Sequence, residues 1–195
     1  IKECDWSSDV CSSDLPRRAA FVYPIEPAPP TAVLVPVFRT SDTAPVFLDG
    51  WGDAARGFAP AAIAASKGQL ARLASLDDKP HLTHAVIRIA RPGERWLSET
   101  ERDLLWDAFQ VPIFEQVVDT MGHVLAQDCE AHDGLHIVSM VFSKHLTARG
   151  HYIENELCGC GRKSLRLKQC PQEERFGRAV YRQRIRLSEL ANASA

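Results

Sequence analysis

Three cysteines and one histidine in the second half of the chain have the types and the spacing of metal ligands. Cys129 and His136 are separated by a short run, and Cys158 and Cys160 follow in the sequence Cys-Gly-Cys-Gly. Three thiolates and one neutral imidazole form a tetrahedral set that suits zinc and leaves no position open for a catalytic water. The sequence therefore predicts a structural zinc site, whose negative charge Arg162 would offset.

Three other residues could replace one of these ligands. His132 lies shortly after Cys129, inside a predicted turn, and could cap that turn instead. His151 precedes the cysteine pair, and Cys170 stands just before Pro171 at the start of a polar segment. Their positions make all three less favoured than the four ligands named above.

An interpretation without a metal is also open. In it, Cys129 is a small buried residue and His136 is a histidine of a strand, while Cys158 and Cys160 form a redox pair. A Cys-x-Cys pair alone is weak evidence for a metal site. Clustered cysteines in a reducing compartment, however, are more often metal ligands than disulfides. The combination of the pair with a Cys/His turn therefore favours zinc.

A β-hairpin would bring the first two ligands together. Residues 123–128 and 137–142 are apolar runs typical of strands, and residues 129–136 join them. Asp133-Gly134 supplies the turn chemistry. The thiol and the imidazole then lie at the two shoulders of the turn and face one point. The glycines beside the later cysteines allow positive φ angles, so the backbone can wrap a metal.

The first half of the chain predicts helices and strands in alternation. Residues 60–76 have the pattern of a helix, and residues 83–90 have that of a strand. Ser98 and Glu101 form a capping box, which predicts a helix to about residue 110, and a strand pattern resumes at Ile113. We therefore expect an α/β fold, with α+β as the alternative. It would hold a mixed sheet, flanking helices, a zinc-bound hairpin and knuckle, and a C-terminal helical arm.

The composition divides the chain into four segments. Residues 1–15 resemble a translated sequencing adapter, so we expect the natural sequence to begin near Pro16. Residues 16–50 are rich in proline, which limits them to extended segments and edge strands. We expect residues 51–170 to form the zinc-binding α/β domain and residues 171–195 to form a basic helical arm.

The ligand segments resemble a known family. The run from Asp128 to Ile137, followed by Cys-Gly-Cys-Gly-Arg at 158–162, resembles the phenylacetate-CoA-ligase-like adenylate-forming enzymes. Members carry an acidic-Cys-Glu segment that ends in Gly-hydrophobic-His, and later a Cys-x-Cys-Gly-Arg run. The resemblance covers about residues 111–167. It implies a structural zinc on the four predicted ligands, with ATP, Mg²⁺ and CoA as ligands only if the chain acts as a ligase.

The chain departs from that family where a nucleotide would bind. Only 21 residues separate His136 from Cys158, and the Arg-Tyr-Arg segment that members carry there is absent. Residues 40–45 lack the glycines that a phosphate-binding loop needs. The resemblance therefore implies a shortened relative that keeps the zinc-bound scaffold without autonomous ATP chemistry. The alternative is a fragment of an ATP-dependent, AMP-forming aryl-carboxylate CoA ligase.

Glu115 is the candidate catalytic residue if the chain is an enzyme. It lies in Phe114-Glu115-Gln116, where the family has an aromatic-Gly-x-x-Glu segment near the adenylate and magnesium. The competing and favoured interpretation is a polar residue at the end of a strand. The seven histidines are scattered without a nucleophile motif beside them, so no other catalytic group is predicted.

Charge and hydropathy do not indicate a particular binding partner. Of the 23 basic and 25 acidic residues, one Lys and four acids lie in residues 1–15, so the remainder is nearly neutral. Residues 162–186 hold nine basic residues, which could bind nucleic acid through its phosphates, although a solvated helical face is more common. Another protein chain is the partner we expect. No apolar run approaches the ~20 residues that span a bilayer, so we expect a cytoplasmic protein without membrane association.

Overall fold

One mixed sheet organises the part of the chain that the computed structural model describes, which is residues 17–139 and 151–169. Its eight strands are β1 (Thr31–Val33), β2 (Ala62–Ala65), β3 (Ala85–Ala90), β4 (Ile113–Val118), β5 (Val124–Gln127), β6 (Leu135–Ile137), β7 (His151–Glu154) and β8 (Arg166–Gln169). The helices are α1 (Asp53–Phe58), α2 (Lys67–Ala74) and α3 (Glu99–Phe109). Across the sheet the order is β1-β2-β3-β4-β5-β6-β8-β7.

The sheet has a parallel half and an antiparallel half. β1 to β4 are parallel neighbours, and β5, β6, β8 and β7 continue the sheet through antiparallel pairs. Parallel neighbours need a crossover connection, and α2 and α3 supply the two that join β2 to β3 and β3 to β4. The predicted α/β fold with a mixed sheet and flanking helices is confirmed.

Apolar side chains cover both faces of the parallel half. On one face, Leu70 of α2 and Phe109 of α3 pack in a cluster with Ile63 and Val86. On the other face, Ile87 packs in a second cluster, to which the N-terminal segment contributes Phe38. Successive residues of β3 alternate between the two clusters, as side chains of a strand must. This half therefore has a core of the ordinary two-sided kind.

The predicted helix over residues 60–76 is wrong in its first part. Ala62–Ala65 form β2, a fully buried parallel strand, and α2 begins only at Lys67. Ser66 separates the two elements, because its hydroxyl accepts the N–H of Gln69 while the Gln69 side chain accepts the N–H of Ser66. Pairing with both sheet neighbours outweighs the helix propensity of the alanines at this position.

The predicted helix after the Ser98 capping box is confirmed. The hydroxyl of Ser98 accepts the N–H of Glu101 at 3.3 Å, and the Glu101 carboxylate accepts the N–H of Ser98 at 2.9 Å. α3 ends at Phe109, where Gln110 adopts a left-handed φ of 55°. This geometry satisfies backbone donors at the start of the helix and sets its direction toward β4.

The hairpin predicted around residues 129–136 is present, with its second strand shifted. β5 and β6 pair antiparallel, with Gln127 opposite His136. β6 begins at Leu135, so His136 belongs to the strand itself, and residues 138 and 139 have left it. β8 then pairs with β6 and extends the sheet beyond the hairpin.

Several predictions fall outside the described residues. These are the adapter-like residues 1–15, the rest of the predicted strand beyond residue 139, Cys170, and the basic arm over 171–195. The boundary near residue 50 stays a prediction, and β1, which precedes it, belongs to the same sheet as β2, which follows it. Among the described helices, none has both the length and the apolar character needed to cross a membrane.

Candidate metal centre

The hairpin places a thiol and an imidazole beside each other. Cys129 lies two residues after the end of β5 and is fully buried, and its carbonyl accepts the N–H of His132 at 3.0 Å to close a turn. His136 lies in β6 and is 3% exposed. Gly134, with a φ of +88°, passes so close to β8 that an added Cβ would lie 2.7 Å from the carbonyl oxygen of Leu167. Close packing on β8 thus fixes the turn that carries both ligands.

The second pair of cysteines lies in a tight loop before β8. The carbonyl of Cys158 accepts the N–H of Gly161 at 2.8 Å, and the carbonyl of Arg162 accepts the N–H of Cys158 at 3.2 Å. Gly161 adopts a φ of +83°, a conformation that is unfavourable for residues with a side chain. The loop therefore turns back on itself and presents two sulfurs on one side, as the glycine spacing predicts.

The ligand atoms of Cys129, His136, Cys158 and Cys160 all lie within 4.8 Å of one another. The sulfurs of Cys129 and Cys158 are 3.7 Å apart, and the sulfur of Cys160 is 3.4 Å from Nε2 of His136. Around an ion with Zn–S distances of ~2.3 Å and Zn–N of ~2.0 Å, tetrahedral ligand atoms are separated by about 3.5–3.8 Å. The two sulfur separations lie close to these values, and the group could hold a metal ion.

The imidazole is oriented for ligation by its second nitrogen. Nδ1 of His136 is hydrogen-bonded to the hydroxyl of Ser164, so Nε2 faces Cys160. Such a partner on the distal nitrogen is the usual way to fix the tautomer of a metal-binding histidine. Burial and the charges of Arg162 and Arg166 lower the pKa of His136, which favours the neutral, ligating form.

The thiols are influenced by opposing effects. Burial raises the pKa of Cys129 to about 12, with further contributions from Cys160 and Cys158. Burial opposes ionisation of Cys158 as well, but hydrogen bonds with Cys160 and Cys129 and the charge of Arg166 lower its pKa overall. All three cysteines are free thiols. A bound cation would stabilise the thiolate of each, since a coordinating thiol is deprotonated outright.

His132 is directed elsewhere, although the sequence offered it as a rival ligand. Its Nδ1 lies 3.1 Å from the carboxylate of Asp128, and its ring stacks on Phe114 with centroids 5.0 Å apart. His132 also adopts a left-handed φ of 48° as part of the turn. The side chain of His151 and the whole of Cys170 lie outside the described part of the chain.

Glu115 is buried inside a strand. The favoured prediction, that it is a polar residue at the end of a strand, is therefore wrong. It lies within β4 and is 1% exposed, and its carboxylate contacts Arg88 at 2.9 Å and Arg102 at 2.7 Å. The N–H of Leu97 donates to it as well. Burial raises the pKa of Glu115, against the opposing charges of the two arginines. Its oxygens are thus occupied by contacts within the chain.

Buried charges lie around the β5–β6 hairpin, which carries two of the candidate metal ligands and is called the metal hairpin, and they are not predicted from the sequence. Arg88, Asp128 and Arg166 are each about 1% exposed. Arg166 contacts the carboxylates of Asp133 and Glu154 beside the cysteine loop. The signal for Arg88 was its place inside an apolar strand pattern, since a buried arginine requires a carboxylate partner.

Comparison with known proteins gives matches among solved structures only. No protein-family model matches the chain, and no curated protein matches its sequence. A crystal structure of an open conformation of 2-hydroxyisobutyryl-CoA ligase in complex with 2-HIB-AMP and CoA matches at 14% identity with a TM-score of 0.49. The match covers 73% of this chain and 44% of the ligase chain, so this chain spans less than half of that ligase. At this identity and TM-score, the likeness assigns neither substrate nor activity.

Proposed function

We propose that the chain is a zinc-stabilised α/β domain in which Cys129, His136, Cys158 and Cys160 bind a structural Zn²⁺. The convergence of these four ligand atoms within 4.8 Å carries the proposal. They come from two segments that are distant in sequence, so binding would tie the β5–β6 hairpin to the loop before β8. Four protein ligands complete a tetrahedral shell, and no position remains for substrate or water.

The chemistry of the ligands favours zinc over the hard cations. Thiolates and imidazole suit Zn²⁺, whereas Mg²⁺ and Ca²⁺ prefer oxygen ligands. Zinc with three thiolates and one imidazole carries a net charge of −1. Arg166, which is buried, and Arg162 both act electrostatically on these ligands and would offset that charge.

The family proposal follows from the ligand segments. The chain would be a shortened relative of the phenylacetate-CoA-ligase-like adenylate-forming proteins, without autonomous ligase activity. Glu115 supports the second part, because two arginines and a backbone N–H occupy its carboxylate and leave it closed to Mg²⁺. The alternative, a fragment of an AMP-forming aryl-carboxylate CoA ligase, would need catalytic groups from a longer protein or a partner.

Metal analysis of the purified chain tests the zinc proposal. We expect about one zinc per chain in the wild type, and loss of zinc in Cys158→Ser and in His136→Ala. Cys170→Ser is the matched control, and it should retain the metal. Wild-type protein with less than about half an equivalent of zinc, or Cys158→Ser with full zinc, contradicts the proposal.

Pyrophosphate exchange tests the absence of ligase activity. The isolated chain is incubated with ATP, Mg²⁺ and aryl or 2-hydroxy acids, and the formation of labelled ATP from pyrophosphate is measured. We expect no exchange above background. Exchange that disappears in Glu115→Gln would contradict the proposal and favour the ligase alternative, with Glu115 as a catalytic residue.

The role of such a domain would be binding or assembly with another protein chain. Nucleic acid is the competing partner, through residues 162–186, most of which lie outside the described residues. Retention on heparin or DNA that falls with salt and disappears when residues 171–195 are deleted would favour nucleic acid. Absence of retention, or retention that does not depend on this segment, would contradict a nucleic-acid interface there. We propose the cytoplasm as the compartment.

A further inference from the structure

The carboxylate of Asp128 fixes the turn that carries the first metal ligand. Its Oδ1 accepts the N–H of Cys129 at 3.0 Å, and its Oδ2 lies 3.1 Å from Nδ1 of His132. The side chain of Asp128 is 2% exposed. Asp128 thus holds the backbone N–H of Cys129 and the imidazole of His132, so its position affects where the sulfur of Cys129 lies.

Arg102 connects this carboxylate to the rest of the domain. It lies on α3, and its guanidinium reaches Asp128 at 3.4 Å, Glu115 at 2.7 Å and the carbonyl of Ile113 at 2.9 Å. Arg88 of β3 contacts the other oxygen of Glu115 at 2.9 Å. The chain of contacts therefore runs from β3 through β4 and α3 to the metal hairpin.

The four charges in this chain of contacts pair with one another, and Arg88 also contacts Glu94 at 2.7 Å. Arg88 and Arg102 are positive, Asp128 and Glu115 are negative, and all but Arg102 have side chains no more than 2% exposed. Removal of one partner from such a buried group leaves an uncompensated charge, which is strongly unfavourable. The position of Asp128 and that of α3 are therefore not independent.

We propose that Asp128 and Arg102 are positioning residues for the metal centre and couple metal binding to the position of α3. This inference rests on the proposed zinc site. With the metal bound, Cys129 holds the turn in the geometry that Asp128 and Arg102 require. Without it, the turn can move, and Arg102 loses its second carboxylate partner. The effect reaches a groove of about 650 Å³, whose walls include Arg102, Trp106, Asp128 and His132.

Zinc affinity of variants tests the positioning role. We expect Asp128→Asn and Arg102→Gln each to weaken zinc binding by about 10- to 100-fold, measured by competition with a chromophoric chelator. In the double variant the two losses should combine to less than their product, because each change breaks the same contact. Asp119→Asn is the matched control, since Asp119 also contacts a histidine four residues later, His123, but in an exposed turn remote from the ligands.

Hydrogen exchange of the wild-type chain tests the coupling without any substitution. Removal of zinc with a chelator should speed amide exchange in α3 as well as in the hairpin and the cysteine loop, and should leave α2 unchanged. If the wild type binds zinc but the variants bind it equally well, or exchange changes only at residues 129–136 and 158–164, this inference is wrong and the zinc site stands. If the wild type binds no zinc, the proposed function itself fails.

Discussion

The two halves of the sheet are held together by different means. In the parallel half, β2 and β3 are covered on both faces by apolar clusters to which α2, α3 and the N-terminal segment contribute. In the antiparallel half, a smaller cluster with Leu125, Leu135 and Leu167 provides the apolar burial. Buried charges and the four Cys/His side chains occupy much of the remaining interior.

This difference indicates what the proposed zinc ion would contribute. A set of short strands with a small apolar cluster buries too little surface to be stable alone, and a structural metal is one of the usual remedies in small domains. Within the described residues, two residue pairs join β8 to β6, and β7 pairs with β8. We therefore expect the antiparallel half to depend on zinc and the parallel half to depend on packing.

The largest expected effect is that of zinc removal. Structural zinc contributes on the order of 10 kcal/mol in small metal-stabilised domains, so chelation should unfold β6 to β8 while β1 to β4 remain folded. Hydrogen exchange with and without chelator would show amides of β6 and β8 losing protection and those of β2 and β3 keeping it. Loss of protection in all strands together would contradict the division of the sheet into a zinc-dependent half and a half that depends on packing.

Truncation in the parallel core should have the next largest effect and leave the metal centre intact. Leu70 is fully buried in α2, and Leu70→Ala should lower the free energy of unfolding by about 2–5 kcal/mol through lost burial and a residual cavity. Leu104→Ala is the control, because Leu104 is 62% exposed and should cost under about 0.5 kcal/mol. Denaturant unfolding measures both, and zinc content should stay at the wild-type value.

Gly134→Ala should have a somewhat smaller effect that spreads to the metal. Its φ of +88° and the Cβ position 2.7 Å from the Leu167 carbonyl oxygen combine strain with a clash against β8. We expect a loss of roughly 2–3 kcal/mol and weaker zinc binding. Gly93→Ala isolates the strain, since Gly93 has a similar φ of +85° with nothing within 4 Å of an added Cβ. Equal losses in the two variants would show that the clash is unimportant.

Local signals in the sequence predict the elements that follow capping boxes and turns. Ser98 and Glu101 predict α3, and Asp133-Gly134 predicts the hairpin, because these residues act on backbone groups a few positions away. The same signal exists at Ser66 and Gln69, where a capping box marks the start of α2 and therefore the end of β2 before it. The error over residues 60–76 thus arose from an alanine-rich composition that suits either element.

Ion pairs between residues that are distant in the sequence could not be predicted from the sequence. The partners of Arg88 and Arg166 lie on other strands and loops, and nothing local predicts that Glu115 lies 2.9 Å from Arg88 across β3 and β4. The metal ligands are the exception, since three thiols and an imidazole have few alternative uses. Their chemistry allows the site to be predicted before the register that forms it.

The smallest expected effect compares the two capped helices of the parallel half. α2 has the neutral Gln69 in its capping box, and α3 has Glu101, which also contacts Lys67 at 2.5 Å. The hydrogen bond from Lys67 and that from the N–H of Ser98 lower the pKa of Glu101 to about 2. Because this pKa is below the unfolded value, the ionised group stabilises the fold above about pH 4.5, and the contribution is lost as the pH falls toward 2.

Glu101→Gln keeps a capping side chain and removes the charge. We expect it to lower the free energy of unfolding by roughly 0.5–1 kcal/mol at pH 7, and the difference from wild type should vanish near pH 2. Protonation of the metal ligands affects both proteins alike and therefore cancels in the difference. A difference between wild type and Glu101→Gln that stays constant from pH 7 to 2 would show that the cap, and not the charge, stabilises α3.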